Sequence, residues 1–172
     1  MLHLIPRLLP ASLHRTAYRL AHALRRLWWR LRRPRIYGCR VLALDDLGRV
    51  LLVRHSYGST KWMAPGGGLR RGEDSLHAAV RELGEEVGCR LEGAWLLAVV
   101  EEPLSGATNV VHLVAGRLAG TPKPDGREIV EAACFAPDAL PASMPELLRR
   151  ELPGWLDKIQ SSPARGGGSP QG

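Results

Sequence analysis

The chain has 172 residues, 45% hydrophobic and 24% charged, the balance of one globular domain with appendages rather than of a disordered or membrane-embedded chain. Its three cysteines, Cys39, Cys89 and Cys134, are odd in number and share no C-x-x-C spacing, which argues against a disulfide framework and a zinc site and fits a reducing cytoplasm. The net charge of +7 suggests nucleic-acid binding only until it is divided: residues 1–35 hold nine arginines and no acid, while the remainder carries 15 basic and 17 acidic side chains, about -2.

Pro6, Arg7 and Pro10 break the first apolar stretch, so it does not read as a secretory leader, and no run approaches the ~18 apolar residues of a membrane span. Within residues 11–35, Leu13, Ala17, Leu20, Leu24, Leu27 and Leu31 alternate spacings of four and three, an amphipathic helix closed by Pro34. Arg15, Arg19, Arg25, Arg26, Arg32 and Arg33 flank the stripe, with Trp28 and Trp29 near its end. Either the stripe packs on the domain or on a second copy of the chain in a homodimer, or the arginines and tryptophans hold the helix peripherally on the anionic inner face of a membrane. Contact with RNA is a weaker third reading.

After Pro34 the pattern changes to strands. "IYGCRVLAL" and "VLLVR" flank the turn "DDLGR", so residues 36–54 read as a hairpin. Pro65 and three consecutive glycines, Gly66 to Gly68, then exclude regular structure. From Asp74, a good N-cap, Leu76, Ala79, Val80, Leu83 and Val87 recur at helical spacing as far as Gly88, a good stop. Strands are expected near 91–101, 109–118 and 127–135, followed by a short helical region at 145–160 interrupted by Pro153. The implied organisation is a basic helix over 1–35, a domain over 36–150, a helical end over 151–160 and a disordered tail over 161–172.

Glu82, Glu85 and Glu86 fall in the last turns of the expected helix. Like charges at i, i+3 and i+4 cost about 0.2 to 0.5 kcal/mol per pair, and the helix dipole disfavours carboxylates at that end. Rules broken together point to function. A hard divalent cation, Mg²⁺ or Mn²⁺, takes oxygen ligands and would relieve the repulsion while remaining able to bind phosphate. The glycines let the backbone approach the same ligand, and Arg81 reaches Glu85 at i+4 to orient it. The combination suggests a metal-assisted phosphate site, against the plainer reading of a solvated acidic helix face.

The stretch from Gly67 to Cys89 matches the Nudix box, G-x5-E-x7-R-E-U-x-E-E-x-G-U with U a bulky apolar residue, at Gly67, Glu73, Arg81, Glu82, Leu83, Glu85, Glu86 and Gly88, with Cys89 in the final apolar slot. "VLLVRHSYGSTKWMAPGGG" is similar to the strand and loop that lead into that box, and "REIVEAACF" to a later Glu-containing strand. The chain thus resembles the Nudix hydrolases. The resemblance implies an α+β Nudix fold, a mixed β-sheet core sandwiched between helices, with the N-terminal amphipathic helix as an addition. It implies hydrolysis, with Mg²⁺ or Mn²⁺, of a nucleotide substrate in which a nucleoside diphosphate is linked to another moiety, by water attack at phosphorus.

Carried over by position, the resemblance makes Glu82, Glu85 and Glu86 metal ligands together with the Gly67 carbonyl. Glu73 and Arg81 brace loop and helix, Gly88 ends the helix, and Arg54 with Gly66 to Gly68 lies near the substrate phosphates. Glu128 stands at the place of an acid that binds metal or acts as base in some members, with Glu85 and Glu86 as rival bases. "PGGG" differs from the "PQGG" of bacterial RNA pyrophosphohydrolases, which weighs against that substrate. Pro103 lies roughly where ADP-ribose-selective members carry a proline, although a strand end explains it equally. A Nudix-fold isomerase would need a catalytic Cys and Glu that find no match, and a non-catalytic nucleotide-binding module is the remaining alternative.

Overall fold

The computed structural model describes residues 34–56, 59–104 and 106–162. The helix expected before Pro34, and all but Ser161 and Ser162 of the expected tail, lie outside the described residues. Seven elements follow in order: β1 (Arg35–Leu44), β2 (Val50–His55), α1 (Ser75–Val87), β3 (Arg90–Leu104), β4 (Ala107–Ala119), β5 (Ile129–Phe135) and α2 (Glu146–Ser161). No helix among the described residues is long and apolar enough to cross a membrane.

Local chemistry sets the boundaries. The turn between β1 and β2 closes because the Asp45 carboxylate accepts the N–H groups of Leu47 and Arg49 at 3.0 and 2.9 Å. Helix α1 starts where the Asp74 side chain accepts from Leu76 and His77, and stops at Gly88 in the left-handed region, φ 68°, its N–H returning to the Gly84 carbonyl.

The five strands form one sheet in the order β3-β4-β1-β2-β5, with β1 and β4 parallel and the other neighbours antiparallel. Alternation along the strands divides the core. Val41, Ala43, Leu51, Val53 and Val114 pack against Ala79, Leu83 and Val87 of α1. Leu42, Val50, Leu52 and Leu113 pack against Leu148, Leu152, Trp155 and Leu156 of α2. A mixed sheet between two helices is the α+β architecture expected.

Two local expectations are corrected. Val80 is 42% exposed, whereas Ala78 and the acid Glu86, only 5% exposed, lie on the buried side. The buried seam follows the row Ala79, Leu83, Val87 and extends toward Ala78 and Glu86 rather than toward Val80. Nor does Pro153 interrupt the last helix, since α2 runs continuously from Glu146 to Ser161. A proline inside a helix removes the hydrogen bond to residue i-4. Here Pro153 and Arg149 are both exposed, so water can serve the Arg149 carbonyl, while Leu148, Leu152, Trp155 and Leu156 hold the helix on the sheet.

Leu152 is fully buried at the centre of that contact. Leu152→Ala should cost about 2 to 5 kcal/mol in urea unfolding followed by circular dichroism; a loss below about 1 kcal/mol would mean that α2 contributes little to the core.

Candidate active site

Strands β1 and β2 pair at Leu44 and Val50 beside the turn, and the glycine loop runs into the space between them. Met63 exchanges backbone hydrogen bonds with Val53 of β2, and on the other side Val41 and Cys39 of β1 donate to the Pro65 and Gly67 carbonyls at 2.8 and 2.9 Å. Side chains at Gly66 and Gly67 would collide there. A Cβ on Gly66, whose φ is 146°, would stand 2.2 Å from the Cys39 carbonyl oxygen, and one on Gly67 would stand 2.5 Å from a Glu82 carboxylate oxygen. Gly66 is therefore dictated by β1 beneath, and a side chain at Gly67 would have to displace the Glu82 carboxylate above, whereas one at Gly68 would meet only an ordinary contact, 3.9 Å to the Tyr37 carbonyl oxygen.

Those acids are held by one guanidinium. Arg81 donates from Nε and Nη2 to the two oxygens of Glu73 at 2.7 and 2.9 Å, and from Nη1 to Glu82 at 2.7 Å and Glu85 at 3.2 Å. Glu73 also accepts the Arg70 N–H at 2.8 Å, which pins the start of the loop-to-helix segment. The hydrogen bonds from Arg81 hold the Glu73 carboxyl down at about 2. Glu85 is 47% exposed and takes a second arginine, Arg70, at 3.3 Å.

Glu82 and Glu86 are differently placed. Burial pushes the Glu82 carboxyl up, with Arg81 opposing and the Glu85 and Glu128 charges adding to the rise. Glu86 is pushed well above the ordinary carboxylate range, by burial first and then by the charge of Glu82; the Gly66 N–H, donating at 3.2 Å, offsets only part of this. Glu128, just before β5, is close enough for its charge to act on both. Its backbone is fixed by Asp125, whose carboxylate accepts the Glu128 and Ile129 N–H groups at 3.0 and 2.8 Å. Asp125 also contributes to the field at Glu86. The sequence reading missed it, although its place in "PDGRE" carried a turn signal.

The structure brings Gly66, Gly67, Gly68, Glu73, Arg81, Glu82, Glu85 and Glu86 into one cluster, within the electrostatic reach of Glu128. Arg54 stands apart on β2, donating to Glu131 at 3.0 Å and to the Thr60 carbonyl at 2.9 Å and lying 5.8 Å from the Trp62 ring centre. Burial pushes the Cys39 thiol up to about 11, which leaves it protonated and inert beneath the loop.

In donor chemistry the cluster fits a hard divalent cation: buried carboxylate oxygens, short of positive charge, beside a close-lying backbone. Among the described residues no three acid, His or Cys side chains stand placed to hold a metal ion, and Arg81 engages an oxygen each of Glu82 and Glu85. The Gly67 carbonyl already accepts from Cys39 and has one remaining lone pair to offer.

A cavity of about 870 Å³ opens on the other side of the glycine loop, within the size range of small-molecule sites. Gly66 to Gly68 and Glu73 line one wall, and Arg40, Glu102 and Asn109 project from β1, β3 and β4. These three also escaped the sequence reading, because they are scattered over strands. The available signal was a polar residue interrupting each apolar run.

A family model described as the NUDIX domain matches residues 34–157. Over 61 residues the chain is 39% identical to an RNA pyrophosphohydrolase of Teredinibacter turnerae, a segment covering 36% of each chain, so it spans about a third of that curated relative. Among solved structures, a MutT NUDIX hydrolase from Burkholderia pseudomallei aligns with a TM-score of 0.63 at 27% identity, over 73% of this chain and 98% of the other. A MutT protein from Methanosarcina mazei aligns with a TM-score of 0.62 at 22% identity, over 76% and 98%, a likeness of fold. With its box, its loop, its whole sheet and most of α2 within the matched span, the chain belongs to the NUDIX domain family.

Proposed function

We propose that the chain is a pyrophosphohydrolase that cleaves a phosphoanhydride in a nucleoside diphosphate derivative by water attack at phosphorus. The observation that supports it most is the burial of Glu82 and Glu86 behind Gly66 and Gly67, which line a nucleotide-sized cavity, with Glu82 offset only in part by Arg81 and Glu86 only in part by the Gly66 N–H. A bound Mg²⁺ or Mn²⁺, held by Glu82, Glu85, Glu86 and the Gly67 carbonyl, would neutralise phosphate oxygens and acidify a water. Glu85, exposed on the helix end, or Glu128, across the cluster, takes the proton of the attacking water. Arg81 fixes where Glu82 and Glu85 point, Glu73 fixes Arg81, and Gly88 ends the helix that carries them. Gly66 and Gly68 leave room for the phosphate chain along the loop. Arg54 reaches that chain only by leaving Glu131.

A purely nucleotide-binding module is the less economical reading, since such a module has no need of the full set of acids and their clamp. The name of the Teredinibacter relative favours RNA as one substrate to test, against the weight of the "PGGG" variant.

With Mg²⁺ and with Mn²⁺, at least one member of a panel of nucleoside triphosphates, nucleotide sugars, ADP-ribose, dinucleoside polyphosphates and 5′-triphosphorylated RNA should be cut at a phosphoanhydride, read by chromatography as a nucleotide together with phosphate, pyrophosphate or the phosphorylated second moiety. Glu85→Gln should lower that turnover by about 100-fold or more with an unchanged circular dichroism spectrum; full turnover would sink the proposal. Glu86 supplies a pH dependence. Its proton, favoured by burial, competes with the cation, so the apparent affinity for Mn²⁺, read by titration, should strengthen as pH rises from the acid side, and a flat profile would remove Glu86 from the ligand set.

The clamp makes a separate prediction. Because the folded Glu73 carboxyl lies below its unfolded value of 4.5, its contribution to stability is complete above about pH 4.5 and is lost as pH falls toward 2. Glu73→Gln should therefore destabilise the protein at neutral pH and reduce its loss of stability between pH 5 and 2; acid unfolding curves of the same shape for both proteins would show that the clamp is not formed.

A further inference from the structure

On the face of the sheet that α2 covers, the strands carry Leu42, Val50, Leu52 and Leu113. Beyond the reach of α2 the same face turns polar at the cross-strand pair Asn109 on β4 and Glu102 on β3, which the Arg40 side chain reaches from β1, and there the cavity begins. Glu102 is buried, and its ion pair with Arg40 is nearly closed to solvent. A buried ion pair is seldom worth more to stability than the apolar pair that could replace it, so core building does not explain this one. Both donors, an Arg40 Nη2 and the Asn109 Nδ2 at 3.1 Å, converge on a single oxygen of Glu102, its Oε1.

That convergence leaves a defined pattern of hydrogen-bonding groups. A carboxylate has about four acceptor positions and a guanidinium five donors, so the second oxygen of Glu102 and the remaining N–H groups of Arg40 are not used within the unit. The Asn109 amide, with Nδ2 committed to Glu102, has Oδ1 as an acceptor, 3.8 Å from where a Cβ on Gly38 would stand. Gly38 has no side chain to cover it.

The phosphates fix the direction of approach. A Cβ on Gly66 would lie 3.0 Å from the Arg40 Cα and one on Gly67 2.5 Å from Glu82, so two residues of loop separate the polar unit from the acids of α1. A phosphate chain crossing Gly66 and Gly67 would leave the base at the cavity floor.

We infer that Arg40, Glu102 and Asn109 read the base of the substrate, selecting one that presents adjacent N–H donors beside an acceptor, as guanine does, over one that presents a lone pair at the ring nitrogen, as adenine does. This rests on the hydrolase reading for the position of the phosphates. Glu102 accepts from the ring N–H through its second oxygen, Asn109 Oδ1 accepts from the amino group, and Arg40 donates to the carbonyl. Adenine would set its N1 lone pair against the Glu102 carboxylate, and a site built to hydrogen-bond one pattern rejects the other strongly.

The test compares kcat/KM for a guanine and an adenine nucleotide with identical phosphate chains, using the full chain. The unaltered protein should favour guanine by about 10- to 100-fold, and Glu102→Gln should reduce that ratio at least tenfold. If Glu102→Gln leaves Arg40 uncompensated and fails to fold, the double variant Arg40→Leu with Glu102→Leu removes both charges and should likewise abolish the preference. Metal-free equilibrium dialysis with GMP and AMP supplies a readout independent of turnover, and should show the same order of binding. Equal kcat/KM for the two nucleotides, equal binding of the two monophosphates, or a ratio unchanged in the variants while both rates fall would each overturn the inference, the last by making the unit structural. Hydrolysis of neither nucleotide, with GMP still bound over AMP, would fault the hydrolase reading and leave the base reading standing.

Discussion

Arg81 grips both oxygens of Glu73 at 2.7 and 2.9 Å and reaches Glu82 with a third bond, and the geometry of the whole site hangs on that guanidinium. Glu73 lies before α1 and Arg81 within it, so the clamp closes the loop-to-helix segment back on the helix. Closing it brings Glu82 down onto the Gly67 backbone, and Gly67 is in turn bonded to β1 through Cys39. A lysine could not do this: the fork of five fixed donors is what lets one side chain hold Glu73 bidentately and still face Glu82 and Glu85. Mutual repulsion among the acids is thereby absorbed unevenly. Glu73 is fully compensated, Glu82 only partly, and Glu86 hardly at all, which concentrates the shortage of positive charge at the two buried carboxylates.

The same unevenness separates structure from chemistry within a single run of acids. Glu73 has its needs met inside the protein, so its removal is a matter of folding. Glu86 has one N–H, from Gly66, and a buried position, and its demand can be met only by a proton or by a cation from outside. Helix α1 therefore ends beside a buried carboxyl whose needs the protein meets only in part, as is common at functional sites.

How much of this was legible follows from where each signal lies. The hairpin, α1 with its Asp74 and Gly88 caps, and the remaining strands were legible because turn residues and periodicity are local. The box was legible because its spacing is local as well. Val80 was expected on the buried stripe because periodicity counts only its apolar character, whereas Glu86, expected among the acids beside the glycine loop, is the residue buried there, accepting the Gly66 N–H. Pro153 was read as a break because helix propensity counts the lost hydrogen bond, while the packing of Leu148, Leu152, Trp155 and Leu156 that outweighs it is tertiary. Arg40, Glu102 and Asn109 were invisible for a different reason: 69 residues separate Arg40 from Asn109, and only the parallel pairing of β1 with β4 and the antiparallel pairing of β4 with β3 bring them together.

Strand β1 shows why the two halves of the problem are so unequally readable. Cys39 faces the α1 side beneath the glycine loop, and the next residue, Arg40, faces the cavity. Strand alternation thus sends consecutive residues to opposite faces of the sheet, which on the proposed reading are the bond-cutting side and the substrate-reading side. On the first side, the loop and helix lie within one short stretch of chain, so their chemistry is written contiguously. On the second, each contact comes from a different strand and is free to change without disturbing the acids. A chain built this way could keep one reaction and vary its substrate, and on the proposed reading that variable surface is the polar corner of Arg40, Glu102 and Asn109.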